Sequence, residues 1–149
     1  MRYLREGEPM STTLKKVVMA DGCFDILHYG HTLYLEQAAK LGDRLVVTVT
    51  RDRYVNKGPG RPTNPEEHRL AVVKAIRWVD DAILVDNPID GFNRIAPDIF
   101  CKGMDYVGRI QPRHIEECTR RGIQIAFTDS PVFSATKIIN DRLRESQGL

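Results

Sequence analysis

The chain of 149 residues is 42% hydrophobic and 28% charged, and its formal net charge at pH 7 is +2. This length suits one ordinary domain with its own core, and so small a net charge excludes nucleic-acid binding by bulk electrostatics. No apolar run approaches the roughly 18 residues that a membrane-spanning helix needs, so we expect no membrane association. The three cysteines, Cys23, Cys101 and Cys118, are odd in number and widely spaced, which argues against a disulfide framework and predicts a cytoplasmic protein.

Apolar runs alternate with amphipathic segments along most of the chain. We expect a frayed tail over residues 1–15 and a single domain over residues 16–149, since no linker or repeat interrupts the second range. In chain order, the predicted elements are a strand over 16–20, a helix over 31–41, a strand over 45–49, a helix over 64–77, a strand over 82–85, a short helix over 91–95, a strand over 98–101, a helix over 112–121, a strand over 123–127 and a helix over 134–144. This alternation predicts an α/β fold with one doubly wound, Rossmann-like parallel sheet.

Residues with strong positional preferences mark several helix ends. Asn64 is predicted as an N-cap, with Pro65 at the first helical position and Glu67 three residues after the cap. Gly42 suits the end of the first helix, and Ser134 is predicted to cap the last one. Because ligands of such sheets bind beyond the carboxyl ends of the strands, functional residues should follow strands.

Two histidines, His28 and His31, follow the first strand. If the helix starts near Tyr29, both lie in its first turn, where unpaired N–H groups and the helix dipole favour phosphate. Imidazoles there can donate hydrogen bonds to phosphate oxygens and to the charge that grows in a transition state. Gly22 and Gly30 would let a phosphate approach the backbone.

Two other interpretations of this segment are weaker. A zinc site would combine the histidines with Cys23 or Asp25, but no second ligand pair with suitable spacing exists. A dinucleotide-binding fold would carry Gly-x-Gly-x-x-Gly after the first strand, and the chain lacks it there.

The run Gly22-Cys23-Phe24-Asp25 with His28-x-Gly30-His31 resembles the signature of the HIGH-type nucleotidyltransferases, specifically their cytidylyltransferase-like branch. The resemblance covers about residues 16–143. It implies that His28 and His31 bind a triphosphate and stabilise in-line attack at its α-phosphorus, and that Lys57 in a mobile loop neutralises charge on the leaving pyrophosphate. The nucleotide-binding residues implied by the matching motifs are Gly22, Cys23, Phe24, Gly30, Lys102, Gly103, Asp105, Ser134, Ala135 and Thr136.

Three further segments decide the choice within the family. Residues 41–45, 61–65 and 102–106 are most similar to the heptose 1-phosphate adenylyltransferases of ADP-heptose synthesis. The arginine-containing segment that precedes the serine motif in glycerol-phosphate cytidylyltransferases is absent from residues 129–133. The resemblance therefore favours ATP over CTP as donor and a heptose 1-phosphate as acceptor, with Asp25 and Arg61 as candidate acceptor-binding residues.

Several alternatives remain open at this stage. FMN adenylyltransferase and glycerol-3-phosphate cytidylyltransferase are the competing activities, and a non-catalytic nucleotide-binding module is the competing class. We expect Mg²⁺ to be carried by the triphosphate without a dedicated protein site. The expected partners are ATP or CTP, a phosphorylated small molecule and, by resemblance, a second copy of the chain in a homodimer.

Overall fold

Five short apolar runs form strands, and each strand is followed by a helix. The computed structural model describes residues 15–129 and 134–148. In chain order its elements are β1 (Val17–Gly22), α1 (Tyr29–Ala39), β2 (Arg44–Thr50), α2 (Glu66–Lys74), β3 (Asp81–Val85), α3 (Pro88–Ile95), β4 (Ile99–Lys102), α4 (Pro112–Arg121), β5 (Gln124–Phe127) and α5 (Ala135–Ser146). Two 3-10 turns, Asp52–Tyr54 and Met104–Tyr106, follow β2 and β4.

The strands form one parallel sheet in the order β3-β2-β1-β4-β5. β1 pairs with β2 on one side and with β4 on the other, so the winding direction reverses at β1. The carboxyl ends of β1 and β4 are further joined by the Tyr34 hydroxyl of α1, which donates to the carbonyl oxygen of Cys101 at 2.8 Å. This geometry confirms the predicted α/β fold and makes the ends of β1 and β4 the expected place for a ligand.

Apolar side chains cover both faces of the sheet. On one face Val18, Ala20 and Val47 pack with Leu35 of α1 and Val73 of α2. On the opposite face, a second cluster joins side chains of the strands to α3 and α4: Val17, Met19, Val46, Phe92, Ile95, Phe100 and Cys118. Because both faces are buried, β1 and β2 consist of nearly continuous apolar residues, as the sequence indicated.

Most predicted elements are present, with ends displaced by a few residues. α1 begins at Tyr29, which brings both histidines to its start. The predicted cap of α2 is wrong by one residue: the cap is Pro65 rather than Asn64. The reason is a long-range contact, because the N–H of Asn64 donates to the Asp25 carboxylate at 3.0 Å. α2 also ends at Lys74, three residues before its predicted end.

Parts of two predictions lie outside the described residues. These are the expected tail, except for its last residue, and residues 130–133 before the serine motif. Among the residues that the structure describes, no helix is long and apolar enough to cross a membrane.

Candidate active site

The turn between β1 and α1 fixes the two histidines by local hydrogen bonds. His28 is the N-cap of α1, and its Nδ1 accepts a hydrogen bond from the N–H of Gly30 at 3.0 Å. The Nδ1 of His31 in turn accepts from the N–H of His28 at 3.2 Å. Since an Nδ1 that accepts carries no proton, a neutral ring in this arrangement has its proton on Nε2. The backbone therefore presets both imidazoles as Nε2–H donors.

The same arrangement keeps both imidazoles neutral. Their rings stack with centroids 3.9 Å apart. Burial lowers the pKa of His31 to about 3, helped by the nearby His28 and Lys57. Burial and Lys57 also lower the pKa of His28. A neutral pair of this kind can donate hydrogen bonds from its Nε2–H groups to an incoming anion.

The Phe24 ring packs against the histidine pair. It is buried and meets the ring of His31 edge-on, with centroids 5.1 Å apart. A Cβ on Gly22 would lie 2.9 Å from the Phe24 ring, so Gly22 is required by this packing. Phe24 also adopts a φ of +54°, a left-handed conformation that is uncommon for a bulky side chain. The expectation of a direct nucleotide contact does not fit the buried Phe24 side chain.

Asp25 anchors the loop that follows β2. Its carboxylate is fully buried and accepts hydrogen bonds from the N–H groups of Thr63, at 2.7 Å, and Asn64, at 3.0 Å, and from Nε of Arg61, at 2.9 Å. Burial raises the pKa of Asp25, but these donors outweigh it and lower the pKa below its usual value. Because its oxygens are enclosed and already accept three hydrogen bonds, the burial of Asp25 does not support its expected contact with an acceptor at the crevice mouth, which stays a prediction.

Arg61 links this loop to the last helix. Its guanidinium contacts the carboxylate and the carbonyl oxygen of Asp25, and a further nitrogen donates to Oγ1 of Thr136 at 3.1 Å. Ser134 caps α5 as predicted, since its Oγ accepts from the N–H of Lys137 at 3.2 Å. Arg61 thus lies at the start of α5 with the residues expected to bind phosphate. Its expected role as an acceptor-binding residue stays a prediction, which these contacts do not support.

Lys57 lies at the exposed end of the same loop. Its Nζ is 3.5 Å from the carbonyl oxygen of Asp25, and its charge reaches both His28 and His31, whose pKa values it lowers. The structure therefore brings the three expected catalytic side chains into one region. We call this region, formed by the starts of α1 and α5 and the loop over residues 57–64, the phosphate seat.

A buried arginine holds the phosphate seat against the sheet. Arg69 of α2 is 2% exposed and donates to the carbonyl oxygens of Cys23 and Thr50, each at 2.8 Å. It also donates to the carbonyl oxygen of Asn64 at 2.9 Å and to the carboxylate of Asp52 at 2.6 Å. These contacts give Arg69 a structural role.

A second region lies on the other side of the β1 and β4 ends. A cleft of about 400 Å³ opens there, and its floor contains an ion pair between Nζ of Lys102 and Oδ1 of Asp21, 2.8 Å apart. The Nζ of Lys102 also lies 3.7 Å from the centre of the Tyr106 ring. Burial lowers the pKa of Lys102, but Asp21 and Tyr106 more than offset it, so the ammonium stays charged.

The walls of the cleft come from five separate parts of the chain. They include residues after β2 and β3, the segment after β4 and the first turn of α4, with polar side chains such as Asn56, Asp86, Asn87, Arg109, Arg113 and His114. His114 is 7% exposed, and its Nε2 has no hydrogen-bond partner among the described residues. The sequence interpretation missed these residues. The available signal was their position, because several of them follow strands or start helices.

The remaining site residues expected from the sequence lie outside the phosphate seat or are only partly described. Gly103 follows β4, and a Cβ there would lie 2.6 Å from Oδ1 of the exposed Asp105, so a larger residue would need the Asp105 side chain to move. Lys102 lines the cleft rather than the phosphate seat, and its expected nucleotide contact stays a prediction. The side chain of Ala135 lies outside the described part of the structure. Across residues 15–129 and 134–148, no cluster of three His, Cys, Asp or Glu side chains could hold a metal ion.

Comparison with known proteins gives concordant results. The profile of the family described as cytidylyltransferase-like matches residues 19–140. The bifunctional protein HldE of Aeromonas hydrophila is 51% identical over 96 residues, and that of Campylobacter fetus is 40% identical over 130 residues. A lipopolysaccharide core biosynthesis protein from Thermoplasma volcanium superposes with a TM-score of 0.66 and 32% identity, covering 80% of this chain and 99% of that one.

The matches differ in how much of each protein they cover. The two HldE alignments take in 62% and 85% of this chain but only 20% and 28% of the HldE proteins. The chain therefore corresponds to a minor part of those bifunctional proteins and to nearly the whole of the Thermoplasma volcanium structure.

Proposed function

Because this chain belongs to the cytidylyltransferase-like family, it is a nucleotidyltransferase, and we propose that it transfers AMP from ATP to D-glycero-D-manno-heptose 1-phosphate, forming ADP-heptose and pyrophosphate. The observation that carries the proposal is the pairing of two unlike regions across the end of β1. Asp21 lines the polar cleft, and the next residue, Gly22, begins the histidine motif. A nucleotide and a polar acceptor bound on these two sides would meet at the strand ends.

The phosphate seat supplies the groups that the nucleotide half of the reaction needs. An oxygen of the acceptor phosphate attacks the α-phosphorus, and the bond to the bridging oxygen breaks, leaving its electron pair on pyrophosphate. In our proposal the Nε2–H groups of His28 and His31 donate to the phosphate oxygens as charge grows on them. Lys57 and the hydroxyls of Ser134 and Thr136 then stabilise the pyrophosphate that departs toward α5.

The cleft suits the acceptor half. Its lining includes amide, imidazole and guanidinium side chains, with Arg109 between β4 and α4 and Arg113 in the first turn of α4. A sugar phosphate presents hydroxyls and an anion, which match amide, imidazole and guanidinium groups. The nucleophile is already ionised, so the reaction needs alignment of two phosphates rather than a general base. We therefore move the proposed acceptor site from Asp25 and Arg61 to this cleft.

Two competing activities fit the same chemistry less well. FMN adenylyltransferase needs a wide apolar slot for a flat ring system, whereas the cleft contains a buried ion pair and several charged side chains. Glycerol-3-phosphate cytidylyltransferase is disfavoured by the missing arginine-containing segment at residues 129–133. The relatives named HldE and the lipopolysaccharide core biosynthesis protein also support a heptose acceptor.

Mg²⁺, homodimer formation and a cytoplasmic location complete the proposal. Both oxygens of the Asp25 carboxylate, which anchors the loop of the phosphate seat, already accept hydrogen bonds. The ion would then be bound mainly by triphosphate oxygens, whose charge it neutralises when present. Equilibrium dialysis with and without ATP tests this directly, and sedimentation velocity tests the homodimer.

A substrate matrix tests the function. The protein is incubated with Mg²⁺, either ATP or CTP, and one of three acceptors: the heptose 1-phosphate, FMN or glycerol 3-phosphate. Products are identified by mass spectrometry, and pyrophosphate release gives the rate. We expect ADP-heptose in the ATP and heptose 1-phosphate reaction alone. FAD or CDP-glycerol formation without ADP-heptose would refute the acceptor while leaving the reaction class in place.

A further inference from the structure

His114 is a buried polar residue that the proposed chemistry has not yet used. It lies in the first turn of α4, which begins at Pro112, and it lines the cleft. Its side chain is almost fully enclosed, yet its Nε2 has no hydrogen-bond partner among the described residues. Buried side-chain nitrogens in folded proteins nearly always have a partner, so an unpartnered one beside a cleft points to a group that arrives from outside.

The charges around His114 decide what kind of group it can receive. Burial and the neighbouring Arg113 lower its pKa, Asp21 opposes this change, and Lys102 contributes to it. The imidazole is therefore neutral near pH 7, and a neutral imidazole can form a hydrogen bond with an uncharged group. Arg109 and Arg113 are the cationic side chains of the same wall, and they suit an anion better than a neutral imidazole does. This division leaves a hydroxyl as the natural partner of His114.

We infer that His114 is a specificity-determining residue whose Nε2 hydrogen-bonds a hydroxyl of the acceptor bound in the cleft. The inference rests on the proposed function, because it assumes that the acceptor occupies this cleft. It predicts selection for polyhydroxylated acceptors, since an acceptor that lacks the hydroxyl would leave the buried nitrogen unpaired. It also separates two roles in the cleft, with arginines holding the acceptor phosphate and His114 selecting the sugar.

Two substitutions and a matched control test the inference. His114→Leu removes the nitrogen, His114→Gln keeps hydrogen-bonding capacity, and His68→Leu alters an exposed histidine of α2 away from the site. KM values for acceptor and ATP, and kcat, are measured with whichever acceptor the wild type uses. We expect His114→Leu to raise the acceptor KM about 10- to 100-fold, with the ATP KM unchanged and partial recovery in His114→Gln.

A measurement on the wild type covers the case in which His114→Leu does not fold. Protein labelled with ¹⁵N in histidine is titrated with the heptose 1-phosphate, and the Nε2 resonance of His114 should shift while that of His68 stays fixed. An unmoved His114 signal, or equal increases in both KM values, would overturn the inference.

The outcomes also separate this inference from the proposed function. FMN turnover by the wild type, with a selective loss in His114→Leu, would refute the heptose assignment and support the role of His114. Heptose turnover with an unselective loss, or with none, would support the proposed function and overturn the role of His114.

Discussion

The phosphate seat and the cleft lie at the same strand ends, but different kinds of contact hold their key side chains. In the turn before α1, residues two or three apart in sequence fix the histidines through backbone hydrogen bonds. The cleft instead depends on contacts such as Lys102 to Asp21, which are 81 residues apart. The histidine turn of the seat is fixed by residues that are contiguous in sequence, whereas the cleft exists only once the sheet has formed. Substitutions should therefore act differently in the two regions.

The largest effect is expected in the phosphate seat. His31→Ala removes an oriented donor and should lower kcat about 10²- to 10³-fold, as does removal of one preorganised donor in other enzymes. The fold should persist, because the sheet and both clusters of apolar side chains do not depend on this imidazole. Steady-state kinetics measures kcat, and circular dichroism shows whether the fold persists. Near-normal turnover would remove His31 from the catalytic set, and exposed His68→Ala serves as the control.

The contact that joins the seat to the sheet should affect stability more than chemistry. Arg69→Met leaves the carbonyl oxygens of Cys23 and Thr50 without their buried donor. We expect the free energy of unfolding to fall by about 3 kcal/mol. Urea denaturation measures it, with Arg53→Met as the matched control, since the Arg53 side chain is 71% exposed. A loss no larger than that of the control would show that Arg69 does not support the seat.

Lys57 should act on the transition state rather than on ground-state binding. Its loop is exposed, and its charge is needed most when pyrophosphate departs. Lys57→Ala should lower kcat about 10- to 100-fold with a smaller rise in the KM for ATP. Lys40→Ala, on the exposed end of α1, should leave both constants unchanged. A raised KM with unchanged kcat would instead identify Lys57 as a simple binding residue.

The smallest effect concerns pH and stability. The pKa of His31 is about 3 in the folded protein and near 6.5 when the chain is unfolded. The unfolded state therefore binds more protons between these values, and the stability contribution is lost as pH falls from about 6.5 toward 3. His31→Gln should lose less stability than the wild type between pH 7 and pH 4.5 in urea titrations. Parallel losses would contradict the lowered pKa.

Local patterns were enough to predict two parts of the phosphate seat, the histidine turn before α1 and the cap of α5. The apolar runs predicted all five strands, and the runs of β1, β2 and β4 are largely buried, as strands covered on both faces are. The histidine spacing and the Ser134 cap were predictable for the same reason, since their partners are two or three residues away. Helix caps and the histidine turn depend on hydrogen bonds between residues close in sequence, so sequence patterns can predict them.

Long-range partners could not be predicted in the same way. Asp25 was interpreted as an acceptor contact, but its donors come from residues 36 to 39 positions later in the chain. The same loop moved the start of α2 by one residue and drew Arg61 toward Thr136. The cleft was missed altogether, because its walls follow different strands and no single segment carries its pattern.

One structure would test the division between the two regions most directly. The protein is crystallised with Mg²⁺, a non-hydrolysable ATP analogue and D-glycero-D-manno-heptose 1-phosphate. The account predicts the triphosphate between the starts of α1 and α5, in contact with His28 and His31, and the sugar in the cleft beside His114. A triphosphate in the cleft, or a sugar ring against His28 and His31, would contradict it.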